Sequence, residues 1–322
     1  MGCASLDRIQ KNKSRPLAGQ IQQDLRPMTE NYTHLPVMPE EVARLLVTDK
    51  EGVYVDATLG MAGHTLKLLS VLGPNARVIG VDWDPEMAAI AAKNTAGLGD
   101  RVKIIQGNFA NIDEMMNREN IKNISGVLFD LGVSSLHFDK ALRGFSLRND
   151  GPLDMRINQT NPLTAYAILR YWPYEQIEHL IRVCGERNAG KIARAIITKR
   201  ETKPLETTGE LRDLVERVLP YRGEKTHPAT KTFLSLRVAV NYEFDNLTRG
   251  IQKIIPFLSK GGRIGIITFH SLEDRIVKET FKFMTKMGDW HAVTKKPVTP
   301  SQEEEAANNR ARSAKLRVIE KI

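Results

Sequence analysis

The stretch VYVDATLGMAGHT, residues 53–65, decides the fold. It opens as a short apolar, β-branched run ending on Asp56, then sets Gly60 and Gly63 just ahead of a helix-like segment that starts at His64 and Thr65. A buried strand, a glycine turn and a helix, in that order, make one βα unit of a parallel sheet. The grammar recurs along the chain. ARVIGVDWD (76–84), VKIIQGNF (102–109), ISGVLFDLG (124–132) and GRIGIITFH (262–270) are further apolar runs, and HTLKLLSVLG (64–73) and PEMAAIAAKN (85–94) read as helices between the first of them. The expected fold class is α/β, a doubly wound Rossmann-like sheet.

The crossover after the fourth strand is too long for one helix. Residues 135–235 hold the helical patterns PLTAYAILRYW, YEQIEHLIRVCG, KIARAIITKRE and TTGELRDLVERVL, with no convincing strand, and are read as an inserted helical domain. The helix NYEFDNLTRGIQKIIPFLSKGG should bring the chain back to the sheet, with Gly261 and Gly262 as its stop. The core domain is therefore expected to comprise residues 32–134 and 236–322. Two late β-like runs, WHAVTKKPV (290–298) and AKLRVIEKI (314–322), would close the sheet. That arrangement distinguishes class I methyltransferase sheets from those of dehydrogenases, by analogy of fold.

Composition narrows the function. The chain of 322 residues has 41% apolar and 26% charged residues, enough for a core and an ordinary surface. A formal net charge of +9 favours polyanionic partners, since each phosphate met by Lys or Arg releases counterions. Cys3 and Cys184 provide neither a disulfide framework nor a CxxC metal site, and the histidines lack HxxxH spacing, so no metal is expected. No apolar run approaches the roughly 20 residues of a membrane span. Residues 1–31 are polar and aperiodic, and are read as a dispensable disordered extension, with Met28 as an alternative start. That segment lacks the apolar centre of a signal peptide, and Leu6 stands where myristoylation wants Ser or Thr. A cytoplasmic protein is expected.

Ligands of such sheets lie beyond the carboxyl ends of the strands, where strand order reverses. Gly60 and Gly63 let the backbone turn sharply against a ligand, but positions 62 and 65 are Ala and Thr, which breaks the GxGxxG pattern of dinucleotide binders. Asp82, ending the second strand, can reach a ribose diol, while Asp84 before Pro85 reads as a helix cap. Phe109 after the third strand suits either an adenine cover or the core. Asp130 closes the fourth strand. A carboxylate there can accept from an amine conjugated to a ring, localise its lone pair and aim it for in-line attack on an electrophilic methyl. His270 stands at the end of the fifth strand and is the second catalytic candidate; Ser271 to Asp274 also reads as a capping box.

The sequence resembles the MraW/RsmH family of bacterial small-subunit ribosomal RNA methyltransferases. The matching strings are YTHLPVMPEEV, DATLGMAGHT, VDWDP, FDLGVSS, RGFSLRNDGPLDMR, KIARAI, HPATKTF, LRVAVNYE, GGRIGIITFHSLEDRIVK and NNRARSAKLRVIEK, in order from Tyr32 to the C-terminus. The resemblance implies S-adenosyl-L-methionine as cofactor and N4 of a decoding-centre cytosine in 16S rRNA as acceptor, with the small ribosomal subunit as partner and no DNA substrate. It implies that the methionine-contacting GGH is Ala62, Gly63 and His64 here, with Ala replacing the first Gly. That substitution is harmless only if φ at Ala62 is negative. Asp82 takes the ribose, Phe109 the adenine side, and Asp130 the strand-four acid. His137 replaces a common Gln and is assigned to the cofactor. Asp154 and Arg156 would pair with each other or with substrate. Thr230 and Lys231 approach RNA, while His227 and Pro228 order a turn. Arg310, Arg312, Lys315 and Arg317 form either a phosphate-binding edge or one solvated face of a strand.

Three rivals have distinguishing features. A DNA amino-methyltransferase would carry a Pro-Pro-aromatic loop where Leu131, Gly132 and Val133 stand. A nicotinamide oxidoreductase would keep the full glycine pattern. A non-catalytic RNA-binding assembly factor would have no need of Asp82, Asp130 and the glycine loop.

Overall fold

The computed structural model describes residues 35–322, apart from Arg222, Glu224 and Lys225. The extension expected over residues 1–31 lies outside the described residues. One sheet organises the rest: β1 (Val53–Asp56), β2 (Arg77–Asp82), β3 (Val102–Gln106), β4 (Ile124–Asp130), β5 (Leu258–Thr268), β6 (Trp290–Ala292) and β7 (Lys315–Lys321). The spatial order is β3-β2-β1-β4-β5-β7-β6. The first five strands run parallel, and β7 pairs antiparallel with β5 and β6. This is the class I methyltransferase sheet, with the late reversed pair that the sequence indicates.

The near-continuous apolar strands follow from burial on both faces. Successive side chains alternate, so Tyr54, Val78, Leu128, Ile267 and Val318 join one core with Val42, Leu46 and Leu68. Their neighbours Val55, Ile79, Phe129, Ile266 and Ile319 join the other, with Leu247, Ile251 and Val277 from the helices opposite. A third core lies wholly within the stretch from Val133 to Val240. It is built from the apolar faces of helices Ala165–Tyr171, Tyr174–Val183, Ala189–Thr202, Thr208–Val218 and Thr230–Asn241.

The returning helix is shorter than its sequence pattern suggests. It runs Glu243–Ile254 and gives way to a 3₁₀ turn over Ile255–Phe257. Pro256 in that turn has no N–H to carry the ladder on. Gly261, at φ +77, instead bends the chain inside the first half of β5.

Candidate active site

The glycine loop straddles the point where the sheet reverses direction. Ala57 N donates to Leu128 O of β4 and Leu59 N to Val81 O of β2, each at 2.9 Å. Gly60 then turns at φ +53, and the nearest atom to a Cβ built on it is Thr58 O at 4.0 Å, so a side chain there would project into open space. Ala62 adopts φ 71 and ψ 21 as N-cap of the helix Gly63–Val71. The condition for a harmless alanine is thus not met: a Cβ in left-handed backbone costs about 1–2 kcal/mol. Gly63 follows it closely under Pro36, 3.2 Å from where its Cβ would lie.

Two acids divide the work at the end of β2. Asp82 Oδ2 accepts from Gly60 N at 2.7 Å and its Oδ1 from Asp84 N at 2.8 Å, tying the strand end to the loop. Burial pushes the Asp82 carboxyl up to about 7, against the opposing pull of those two N–H donors. Asp84 caps the next helix through Glu86 N, as the sequence indicates. It also accepts from Arg143 Nη2 at 2.8 Å and lies 2.7 Å from His137 Nε2. Burial opposes its charge, but His137 and Arg143 outweigh that and hold it down at about 2.

His137 is therefore placed against Asp84, two residues beyond Asp82, with Nδ1 lacking a partner among the described residues. Arg143 completes a clasp to the insertion by donating to the carbonyls of Arg156 and Ile157. Little in the sequence marks Arg143 for this role; its only local signal is a cation beside a glycine turn.

The end of β4 holds Asp130. Asp130 N donates to Thr58 Oγ1 at 2.6 Å, which fixes the strand end over the loop. Its carboxylate is partly exposed, with Oδ2 3.6 Å from His64 Nε2. Asp56 lies beneath, fully buried, with Oδ2 bound to Thr65 Oγ1 at 2.8 Å. Burial works against a charged His64, yet Asp130 first and then Asp56 and Glu304 outweigh it and raise its pKa. Both His64 ring nitrogens, Asp56 Oδ1 and Asp130 Oδ1 lack hydrogen-bond partners among the described residues. Arg310 reaches the same region, donating to Val133 O at 3.0 Å, and feels the charge of Asp130.

Phe109 packs edge-on against Phe129, with centroids 5.5 Å apart, and against Gly250. It is half-buried, packed in part against the core. His270 lies past the end of β5, and its ring serves as a helix cap. Nδ1 accepts from Glu273 N at 3.4 Å, and Glu273 returns a bond to the His270 N–H. The capping box is thus His270 to Glu273, one residue earlier than the Ser271 to Asp274 pattern suggests, because β5 ends far enough upstream for His270 to stay extended. His270 Nε2 lies 3.0 Å from Glu273 Oε1, and Arg237 bridges to Glu243 at 2.8 Å.

The remaining charged motifs are largely spent on structure. Asp154 and Arg156 form a two-point pair with each other. Lys315 and Arg317 converge on Asp274, which removes them from a free basic edge. Lys231 donates to Gly185 O, and His227 holds its turn by accepting from Ala229 N.

Comparison with known proteins gives a consistent family. The MraW methylase family matches residues 31–322. A ribosomal RNA small subunit methyltransferase H of Coprothermobacter proteolyticus is 46% identical over 295 residues, spanning 91% of this chain and 98% of its own length. The protein of that name from Caldicellulosiruptor saccharolyticus is 43% identical over 307 residues, spanning 90% of this chain and 100% of its own. That from Geobacter sp. is 41% identical over 311 residues, spanning 91% and 100%.

Proposed function

This chain belongs to the MraW methylase family, and from that premise we propose that it methylates N4 of a cytosine in the decoding centre of 16S rRNA, using S-adenosylmethionine. The names of its relatives support small-subunit rRNA as substrate. The chemistry of the strand-four acid supports an exocyclic amine as acceptor. We take the small ribosomal subunit as partner and residues 135–235 as the substrate-recognition insertion. No helix among the described residues is long and apolar enough to cross a membrane.

The residues fit the cofactor. The backbone at Gly60 leaves room for a ligand at the switch point, and Asp82 beside it can accept from ribose hydroxyls. The unpartnered atoms of His64 and Asp56 match an amino-acid zwitterion, the Asp56 carboxylate to its ammonium and the imidazole to its carboxylate. Phe109, half-buried, offers its exposed part to the adenine. His137 contributes through Asp84, whose N–H holds Asp82 in place. When bound, S-adenosylmethionine supplies an electrophilic methyl group on a sulfonium.

The observation that carries the mechanism is the unpartnered Oδ1 of Asp130 at the strand end. It can accept a hydrogen bond from the cytosine amine, pulling its lone pair out of conjugation. As the nitrogen gains positive charge, that bond strengthens, so the contact acts mainly in the transition state. The ammonium-like product then releases its proton to that oxygen or to water. His270, as cap and partner of Glu273, is assigned a positioning role at the adjoining strand end. Mass spectrometry of 16S rRNA with and without the gene tests the reading. A decoding-centre cytosine that keeps its N4 methyl after deletion refutes it.

A further inference from the structure

The insertion carries a feature that neither its folding nor the methyl-transfer centre uses. In the helix Ala189–Thr202, Ile192, Ala193 and Ile196 point into the insertion's core. Its outer face presents Lys191, Arg194, Thr198, Lys199 and Thr202, spaced three, four, one and three residues apart, which is one stripe of a helix. That stripe spans about 16 Å at 1.5 Å per residue. With Arg217 of the helix Thr208–Val218 it lines an open groove of about 620 Å³ floored by Leu214 and Val218. Four of the groove's lining residues are cations and none is an acid.

The cations of this groove face no counter-charge within it. The acids of the helix Thr208–Val218 are turned to other partners: Glu210 to Lys203, Asp213 to Arg212 and Glu216 to His227. The side chains of Lys191, Lys199 and Arg217 make no ion pair or hydrogen bond among the described residues, and Arg194 lies over the Tyr174 ring at 5.6 Å. Elsewhere the motif cations are tied down, Lys315 and Arg317 to Asp274 and Arg143 to Asp84. Gathering like charges around one groove without a counter-charge opposes folding, and a polyanion relieves that repulsion. Lysine and arginine in a stripe, with the Thr198 hydroxyl between them, suit successive phosphates of a nucleic-acid strand.

We propose that this groove docks the phosphate backbone of the substrate RNA at a site distinct from the methyl-transfer centre. The proposal rests on the acceptor being RNA. The insertion then grips the strand by phosphates that carry no sequence information, while the end of β4 handles the base.

The test compares the intact enzyme with a K191A/K199A/R217A variant and with a control, K260A/K282A/K286A, that removes the same charge from exposed positions elsewhere. Affinity for a 16S rRNA fragment is measured over a salt series, with methyl transfer followed in parallel and melting temperature as a check on folding. The groove variant should bind at least tenfold more weakly at about 0.1 M salt. Its slope of log affinity against log salt should be shallower by about 2 to 3, at 0.7 to 0.9 per lost phosphate contact. The loss in turnover should fall on KM rather than kcat, and K199R should restore most of the affinity lost in K199A. Unaltered RNA affinity overturns the groove, whatever the turnover. An equal loss in the control also overturns it, since diffuse charge would then suffice. A wild-type enzyme that binds this RNA through the groove but never methylates it would sink the functional reading and leave the groove standing.

Discussion

His64 Nε2 stands 3.6 Å from Asp130 Oδ2, and neither ring nitrogen of His64 nor the second oxygen of Asp130 has a hydrogen-bond partner among the described residues. The imidazole is buried, and the carboxylate lies at the open end of β4. Leaving such groups unmatched costs roughly 1–3 kcal/mol each. Thr58 Oγ1 accepts from Asp130 N and ties the end of β4 to the turn after β1, beside these unmatched atoms.

Asp130→Asn should slow methyl transfer far more than it weakens cofactor binding. The amide keeps the shape but exchanges an anionic acceptor for a neutral group that is a donor at one end. The expected loss is about 2.7–4 kcal/mol in activation free energy, on the scale of one preorganised electrostatic contact. Single-turnover methylation of the isolated small subunit, with cofactor affinity measured alongside, reads both quantities. A near wild-type rate would rule out the amine contact.

Asp82 should make cofactor affinity depend on pH. With its carboxyl pushed up to about 7, the unliganded protein holds a proton that ribose hydroxyls, donating to the ionised form, must displace. Affinity should rise about tenfold per pH unit below about 7 and level off above it. In the unliganded protein the raised carboxyl favours the folded state at low pH, a contribution withdrawn as pH climbs from about 4 to 7. Calorimetry on wild type and Asp82→Asn isolates this group. Parallel pH profiles in the two proteins would show that Asp82 does not titrate on binding.

Ala62→Gly should stabilise the protein. The residue sits at φ 71, where glycine escapes the Cβ penalty but gives up some of the gain to unfolded-state freedom. A net increase of about 1 kcal/mol in urea unfolding is expected. No change, or a loss, would mean that Cβ packing in this fully buried position outweighs the strain.

Arg143→Ala should loosen the insertion from the sheet. The substitution strands Asp84 as a buried charge, its side chain 2% exposed, with only His137 left as a side-chain partner. Breaking a buried pair of this kind costs about 3–5 kcal/mol. Hydrogen exchange should quicken across the helices between residues 135 and 241, and cofactor binding should weaken through the shared Asp84 to Asp82 bond. A stability change below about 1 kcal/mol would show that the clasp is dispensable.

His270 separates two roles by paired substitutions. His270→Ala removes the cap of the helix Ser271–Lys286 and should cost about 1 kcal/mol. His270→Asn keeps a capping acceptor, so stability should return and methylation should stay within a few-fold of wild type. A capped but inactive Asn variant would promote the imidazole from positioning to chemistry.

Much of this protein is legible without its tertiary structure. The late reversed pair is legible only by analogy of fold. The run of buried strands punctuated by Gly60, Asp82 and Asp130 determines the parallel sheet itself, because strands covered on both faces must be apolar throughout and can turn polar only where they end. The same logic puts Asp82 and Asp130 on one edge and marks Asp84 as a cap, since local backbone geometry suffices for each. What spacing along the chain cannot convey is which distant side chain satisfies a given charge. His137 and Arg143 meet Asp84 across more than fifty residues, Lys315 and Arg317 are neutralised by Asp274, and the cap falls to His270 rather than Ser271. The sign of φ at Ala62 is likewise beyond the reach of the sequence. Those outcomes depend on how the inserted helices and the last strand dock against the sheet, where burial makes an unpaired charge too costly to leave and so selects its partner.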